Sequence, residues 1–185
     1  MQIEDGTGSG RRAKVNSVNM LSTESVTASV EHYTNHADGQ AYHLVFDQTP
    51  TAGGDCFLYM QNTADMDMVV EGIWLSVSAA AEIYVEVDNA GTRNAATVLV
   101  PVNCNRNSGN AATGVFEGGN DLDGGAATLA GGIEFERYVF RAATSSAHFN
   151  FEQDLILGED DTLTIWSSAN ITINGTVVFN YHVTH

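Results

Sequence analysis

An all-β domain, folded as a two-sheet sandwich or jelly roll behind an extended N-terminal arm, is what this sequence predicts. Three observations lead there. Beyond residue 21 the chain is a series of short runs rich in Val, Ile, Thr, Tyr and Phe, cut by Gly, Asn and Asp. That is the composition of strands and turns. No segment keeps a helical spacing of apolar residues over three turns. Residues 1–21, by contrast, are polar and glycine-punctuated, with too little apolar surface to offset the entropy of folding alone. The chain therefore divides into a docking arm, 1–21, and a sandwich domain, 22–185, which holds a long irregular segment at 103–132.

The strands follow in order. Val26, Ala28, Val30 and His32 alternate with Thr27, Ser29 and Glu31, as in a half-buried strand. After a turn at Asn35–Gly39, Tyr42, Leu44 and Phe46 alternate in the same way, and 49–55, with Pro50, Gly53 and Gly54, is a loop. Cys56–Gln61 is almost continuously apolar, which predicts a strand covered on both faces. Met68–Ser78 is a long strand with Val70, Ile73, Leu75 and Val77 inward, and the slip in parity places a bulge at Gly72. Ala79–Ala81 is a turn or a short helix. Ile83, Val85 and Val87 give the clearest alternation, and Asp88–Gly91 turns the chain towards a strand at Ala96–Val102.

The segment 103–132 is rich in Asn and Gly, and its larger apolar anchors are Val115, Phe116, Leu122 and Leu129. So long a loop either contains short strands or clasps a neighbouring subunit. Strands resume at Ile133–Arg141, His148–Phe151, Asp154–Leu157, Thr162–Trp166 and Ile171–Val183. Turns fall at Gly158–Asp161 and at Asn174–Gly175, the dipeptide favoured in two-residue hairpins. Eight to ten strands in one domain suit a sandwich, but not any particular Greek-key order.

Charge separates the two parts. Residues 1–14 carry three bases, Arg11, Arg12 and Lys14, against two acids, a net of +1; residues 15–185 carry four bases against twenty-one acids, a net of −17. A body this acidic repels nucleic acid and anionic membranes, and three charges on the arm are too few to grip a phosphate backbone. They are enough to steer a docking segment onto an acidic protein surface. No run reaches the length of a membrane span, and Met1–Asp5 lacks the basic start and apolar core of a secretory signal. In a protein made in a reducing cytoplasm Cys56 and Cys104 are expected as buried free thiols, with a bridge between them as the alternative.

Candidate chemistry is sparse. Gly6, Gly8 and Gly10 have no strand before them and no helix after them, so a phosphate loop is excluded. His32, His36, Asp38 and His43 offer metal-ligand types, yet their spacing matches no common ligand set, and exposed turn histidines are the simpler reading. Asn120–Gly124 opens like a calcium loop but has Gly132 where an EF-hand needs glutamate. A looser calcium site at Asp121 and Asp123, or at Glu159, Asp160 and Asp161, stands against the plainer alternative of solvated acidic turns. No Gly-x-Ser-x-Gly elbow is present, so no enzyme, metal or cofactor is expected. Trp74, Trp166 and the tyrosines leave a carbohydrate-binding face conceivable, although most such aromatics are core.

The leader also bears a likeness. Ile3-Glu4-Asp5-Gly6-Thr7-Gly8-Ser9-Gly10, with Ala13-Lys14-Val15 and Asn19-Met20-Leu21, resembles the opening of a family of tailed-bacteriophage virion proteins, head decoration (cement) proteins of jelly-roll type. The likeness continues, more weakly, through Leu99–Asn103 and Leu155–Leu163. It implies a capsid-surface protein made in the host bacterial cytoplasm, a homotrimer whose partner is the major capsid protein. Ile3, Glu4, Asp5, Arg11, Arg12, Lys14 and Val15 would form its capsid-binding arm. The competing expectations are a tail or appendage protein that binds host-surface glycans through the sandwich edge or the 103–132 segment, and a small metal-dependent hydrolase built around His32–His43.

Overall fold

The computed structural model describes residues 14–15, 21–22, 35, 38–142 and 145–182. Two short strands of the leader, β1 (Lys14–Val15) and β2 (Leu21–Ser22), pair antiparallel with each other. The body comprises β3 (Ala41–Gln48), β4 (Asp55–Asn62), β5 (Asp67–Val77), β6 (Ala81–Val87), β7 (Thr97–Val98), β8 (Val102–Asn103), β9 (Gly114–Gly118), β10 (Ile133–Phe140), β11 (Ser145–Leu157), β12 (Thr162–Ser167) and β13 (Ile173–His182). They form a six-stranded sheet in the order β10-β6-β12-β4-β9-β7 and a five-stranded sheet in the order β11-β5-β13-β3-β8.

The order of the eight long strands has a simple logic. β3 pairs with β13, β4 with β12, β5 with β11 and β6 with β10, all antiparallel. The chain is thus one long hairpin whose outgoing and returning halves are wrapped together across two sheets, the connectivity of a jelly roll. The core lies between the sheets. Tyr42, Leu44 and Phe46 of β3, with Ile73, Leu75 and Val77 of β5, face Leu58, Met60, Ile83 and Ile165 from the other side. Each such side chain contributes about 1.5–3 kcal/mol on burial. Phe179 stacks on both Tyr42 and Phe116, at 5.5 and 5.4 Å between centroids.

The connection from β6 to β10, residues 88–132, is the tip of the rolled hairpin, and it contains the irregular segment. It folds back over the body: β8 pairs with β3, while β9 pairs with β4 and carries β7 on its far side. Both sheets are thereby extended on the same side, where β3 and β4 would otherwise present open edges to pairing. The expected single strand at Ala96–Val102 is instead two stubs in different sheets, since Pro101 has no N–H for a ladder and the chain crosses over at that point. Residues 119–132 then lie across the outside of the six-stranded sheet. Leu122 and Leu129 bury Cys56 and Tyr59 there, with Val115 and Trp166 alongside, so β4 is covered on both faces as its apolar run predicted.

Three further expectations are corrected. Asn174–Gly175 is no turn but the start of β13, paired to β3 on one edge and β5 on the other. A Cβ on Gly175 would stand 2.6 Å from the Trp74 carbonyl and against the Phe46 ring, so the glycine serves close packing and not a reversal. His148–Phe151 and Asp154–Leu157 belong to one strand, β11, whose register shifts between Asn150 and Leu155. On the opposite edge of β5 the register steps from Gly72 to Val70, leaving Glu71 as the extra residue beside the expected Gly72. That bulge is what turns Val70 and Ile73 to the same core. Ala79 and Ala80 make a bend that leads directly into β6. The strand expected at 26–32 lies outside the described residues.

Candidate functional site

The register of the five-stranded sheet fixes its outer face as a grid. Asp47, Asn174, Ser76 and Ser146 form one row across β3, β13, β5 and β11; Val45, Thr176, Trp74 and His148 form the next. His43, Val178, Gly72 and Asn150 form a third. Trp74 therefore stands in the middle of a sheet face, and it is 44% exposed. Its indole is stacked on the His148 imidazole, with centroids 3.9 Å apart and planes inclined by 13°. Gly72 makes that stack possible. A Cβ there would lie 2.7 Å from His148 Nε2 and 2.5 Å from the Phe149 carbonyl, so any larger residue would push the imidazole aside.

Hollows flank this aromatic pair. The wider, about 730 Å³, runs over Val45, Thr176 and Gly175 and ends on Asp47, Asn174, Ser76 and Ser146. With its NH₂ turned to the carboxylate, Asn174 donates to Asp47 Oδ1 at 2.6 Å. The smaller, about 270 Å³, lies beyond Trp74 and His148 and is lined by Glu71, Asn150, Val178 and Asn180. Asn180 Nδ2 donates to Glu71 Oε1, whereas Asn180 Oδ1 is buried and meets no donor among the described residues. Such a face can take a flat, partly apolar ligand with hydrogen-bonding groups at its rim.

The acidic residues singled out from the sequence separate into two places. Asp121 and Asp123 converge with Asp55, one carboxylate oxygen of each lying within 4.8 Å of the others. Fold contacts already engage two of these three carboxylates. Asp123 Oδ1 accepts from the Cys56 amide at 2.6 Å, and Asp55 Oδ2 accepts from Thr51 Oγ1 at 2.7 Å and the Ala52 amide at 2.6 Å. Desolvation, with Asp121 and Asp55 adding like charge, raises the pKa of Asp123. Glu159, Asp160 and Asp161 instead form the β11–β12 turn, where Asp161 accepts from the Gly158 amide at 2.8 Å.

Of the expected arm residues, Ile3, Glu4, Asp5, Arg11 and Arg12 lie outside the described residues, and Lys14 and Val15 form β1. His32 and His36 also lie outside them, while Asp38 and His43 are exposed. Both cysteines are free thiols; Cys56 is fully buried, and burial holds its pKa well above the ordinary thiol value. Trp74 is among the aromatics of the conceivable carbohydrate-binding face, but its pairing with His148 has no signature in the sequence. The inward parity of Ile73 and Leu75 already put Trp74 outside, but nothing local says that β5 and β11 are neighbours. No family model, curated protein or solved structure matches the chain.

Proposed function

We propose that the chain is a non-enzymatic virion protein that coats the outer surface of a tailed-phage head and stabilises the shell by binding to it. The partition of charge carries this reading. The leader holds three bases in fourteen residues, while the rest of the chain is at −17. The body's own bases are dispersed, and two of the four are engaged internally. Arg93 pairs with Glu117 at 2.6 Å and lies 4.1 Å over the Tyr59 ring. Arg137 pairs with Glu134 and Glu82 and lies over Tyr84. Arg11, Arg12 and Lys14 are thus the one cluster of positive charge in the sequence, which an acidic patch of the major capsid protein would meet.

A homotrimer belongs to the same proposal. Its support is the edge strand β10, which exposes Ile133, Phe135, Tyr138 and Val139 in one run. Binding the assembled shell and not its free subunits stabilises the shell by mass action, and three linked arms multiply a modest affinity for each.

The chain count in purified particles tests the reading. Hundreds of copies, on the scale of the shell protein, are expected; a handful would transfer the chain to a tail or appendage. Deleting residues 1–14 is expected to abolish co-sedimentation with empty shells while the melting temperature of the body stays unchanged. Undiminished co-sedimentation would remove the arm from the mechanism.

A further inference from the structure

We propose that the outer face of the five-stranded sheet binds a neutral saccharide, with Trp74 as the stacking platform and the polar rows beside it as hydroxyl partners. This goes beyond attachment to a shell, and it concerns a face that the arm does not include.

The platform is built, not incidental. An indole exposed on a sheet face normally moves among rotamers, and ordering it on binding costs affinity. Here the imidazole of His148 holds one indole face at 3.9 Å, and Gly72 leaves the space that the imidazole needs. The exposure of Trp74 therefore comes from its opposite face and its edges, already fixed in orientation. A pyranose ring presents an apolar C–H face of matching size, with hydroxyls around its rim.

The surroundings suit that rim. Asp47 and Asn174, adjacent across β3 and β13, offer a carboxylate and an amide side by side, the pair that receives vicinal hydroxyls. Ser76 and Ser146 close the same end of the wider hollow. On the other side of the aromatic pair, the buried Asn180 Oδ1 meets no donor among the described residues and lines the smaller hollow, where a hydroxyl, directly or through one water, would complete it.

Charge selects among saccharides. Among the described residues neither hollow is lined by Lys or Arg, and Asp47 places a carboxylate at the end of the wider one. Uronates, sulfated sugars and phosphorylated glycans meet repulsion here, added to that of a chain at −16. A neutral hexose polymer meets none.

Affinity electrophoresis of the full chain in gels containing dextran, a mannan, a neutral galactan or alginate tests this. Retardation by at least one of the neutral polymers is expected, with little or none by alginate. Trp74→Ala should weaken that retardation at least tenfold and His148→Ala severalfold, while Trp166→Phe, on the opposite sheet, leaves it unchanged. Ser146→Arg, at an exposed position, blocks the wider hollow without touching the core and keeps the test valid if Trp74→Ala folds poorly. Three outcomes would overturn the proposal: no retardation by any neutral polymer, retardation that survives both Trp74→Ala and Ser146→Arg, or alginate bound as strongly as the neutral polymers. Shell co-sedimentation of the Trp74 variant stays at the wild-type level, so this proposal and the head-coating one fail separately.

Discussion

Replacing Asn89 by Ala tests whether the 88–132 excursion is an integral part of the sandwich. Asn89 is buried at the neck of the excursion. Its Nδ2 donates to Glu86 Oε2 at 2.8 Å and to Thr164 Oγ1 at 2.7 Å, and its Oδ1 accepts from the Gly132 amide at 3.1 Å. One side chain therefore ties the outgoing end of the tip to its returning end and to β12. Alanine removes all three bonds but keeps the bond from Thr162 Oγ1 to the Asn89 carbonyl. At about 1 kcal/mol for each neutral bond and more for the carboxylate, the loss is about 3–4 kcal/mol. For a domain of this size that corresponds to a melting temperature lower by about 10 °C. Cys56 supplies a local readout, because it lies fully buried under Leu122 and Leu129 of the same excursion. Thiol labelling followed by peptide mass spectrometry should show Cys56 reacting faster in the variant, well below its melting temperature. A fall of under about 3 °C with Cys56 still protected would show that the reciprocal Ala90–Ala130 backbone bonds hold the neck without Asn89.

Other perturbations follow from the same packing. Gly175→Ala forces a methyl group against the Trp74 carbonyl and the Phe46 ring and should cost about 2 kcal/mol or more by urea unfolding; Gly109→Ala, which meets open space, should be neutral. Arg93→Ala breaks a largely buried ion pair and a cation–π contact, a loss of about 2–3 kcal/mol that should persist at 1 M salt. Asp123 is held above its ordinary pKa of 3.8, so the folded state binds its proton more tightly than the unfolded state does. That contribution favours folding at low pH and is lost as pH rises through the carboxylate range. Asp123→Asn keeps an acceptor for the Cys56 amide and should raise the melting temperature relative to wild type at pH 7 but not at pH 3.

What the sequence made legible was whatever period and punctuation encode. Tyr42, Leu44 and Phe46, or Ile83 and Val85, announce their inward faces because a half-buried strand has period two. The apolar run at Cys56–Gln61 announced a double cover, and of the four sparse anchors of an otherwise polar segment Phe116, Leu122 and Leu129 are buried while Val115 is half-buried. What it did not announce was pairing between distant strands. Asn174–Gly175 has the local chemistry of a turn, and two flanking strands override it. Trp74 and His148 lie 74 positions apart and meet only because the hairpin is rolled so that β5 and β11 are neighbours. The convergence of Asp55 with Asp121 and Asp123 is equally non-local. Sites on this fold arise from the wrapping, and the wrapping has no short-range signature.

The excursion also makes the sandwich lopsided, and that asymmetry yields the sharpest test of self-association. On one side β8, β9 and β7 continue the sheets past β3 and β4. On the other, β10 and β11 are the edges, and nothing among the described residues covers them. Aromatic rings pack between these edges: Tyr138 on Phe149 at 4.7 Å and Phe135 on Phe151 at 5.6 Å. Ile133 and Val139 remain 62% and 48% exposed on the same strand. Charged residues on an edge are a common device for keeping it unpaired. Ile133→Lys with Val139→Lys should therefore reduce the mass in light scattering from about three chains to one, at tens of micromolar. Each lysine lowers the magnitude of the net charge by one, from −16 to −14, so general repulsion between copies falls in the variant. Loss of assembly could then be assigned only to the altered edge. A wild-type chain that is already monomeric, or a double variant that keeps the wild-type mass, would remove β10 from the interface.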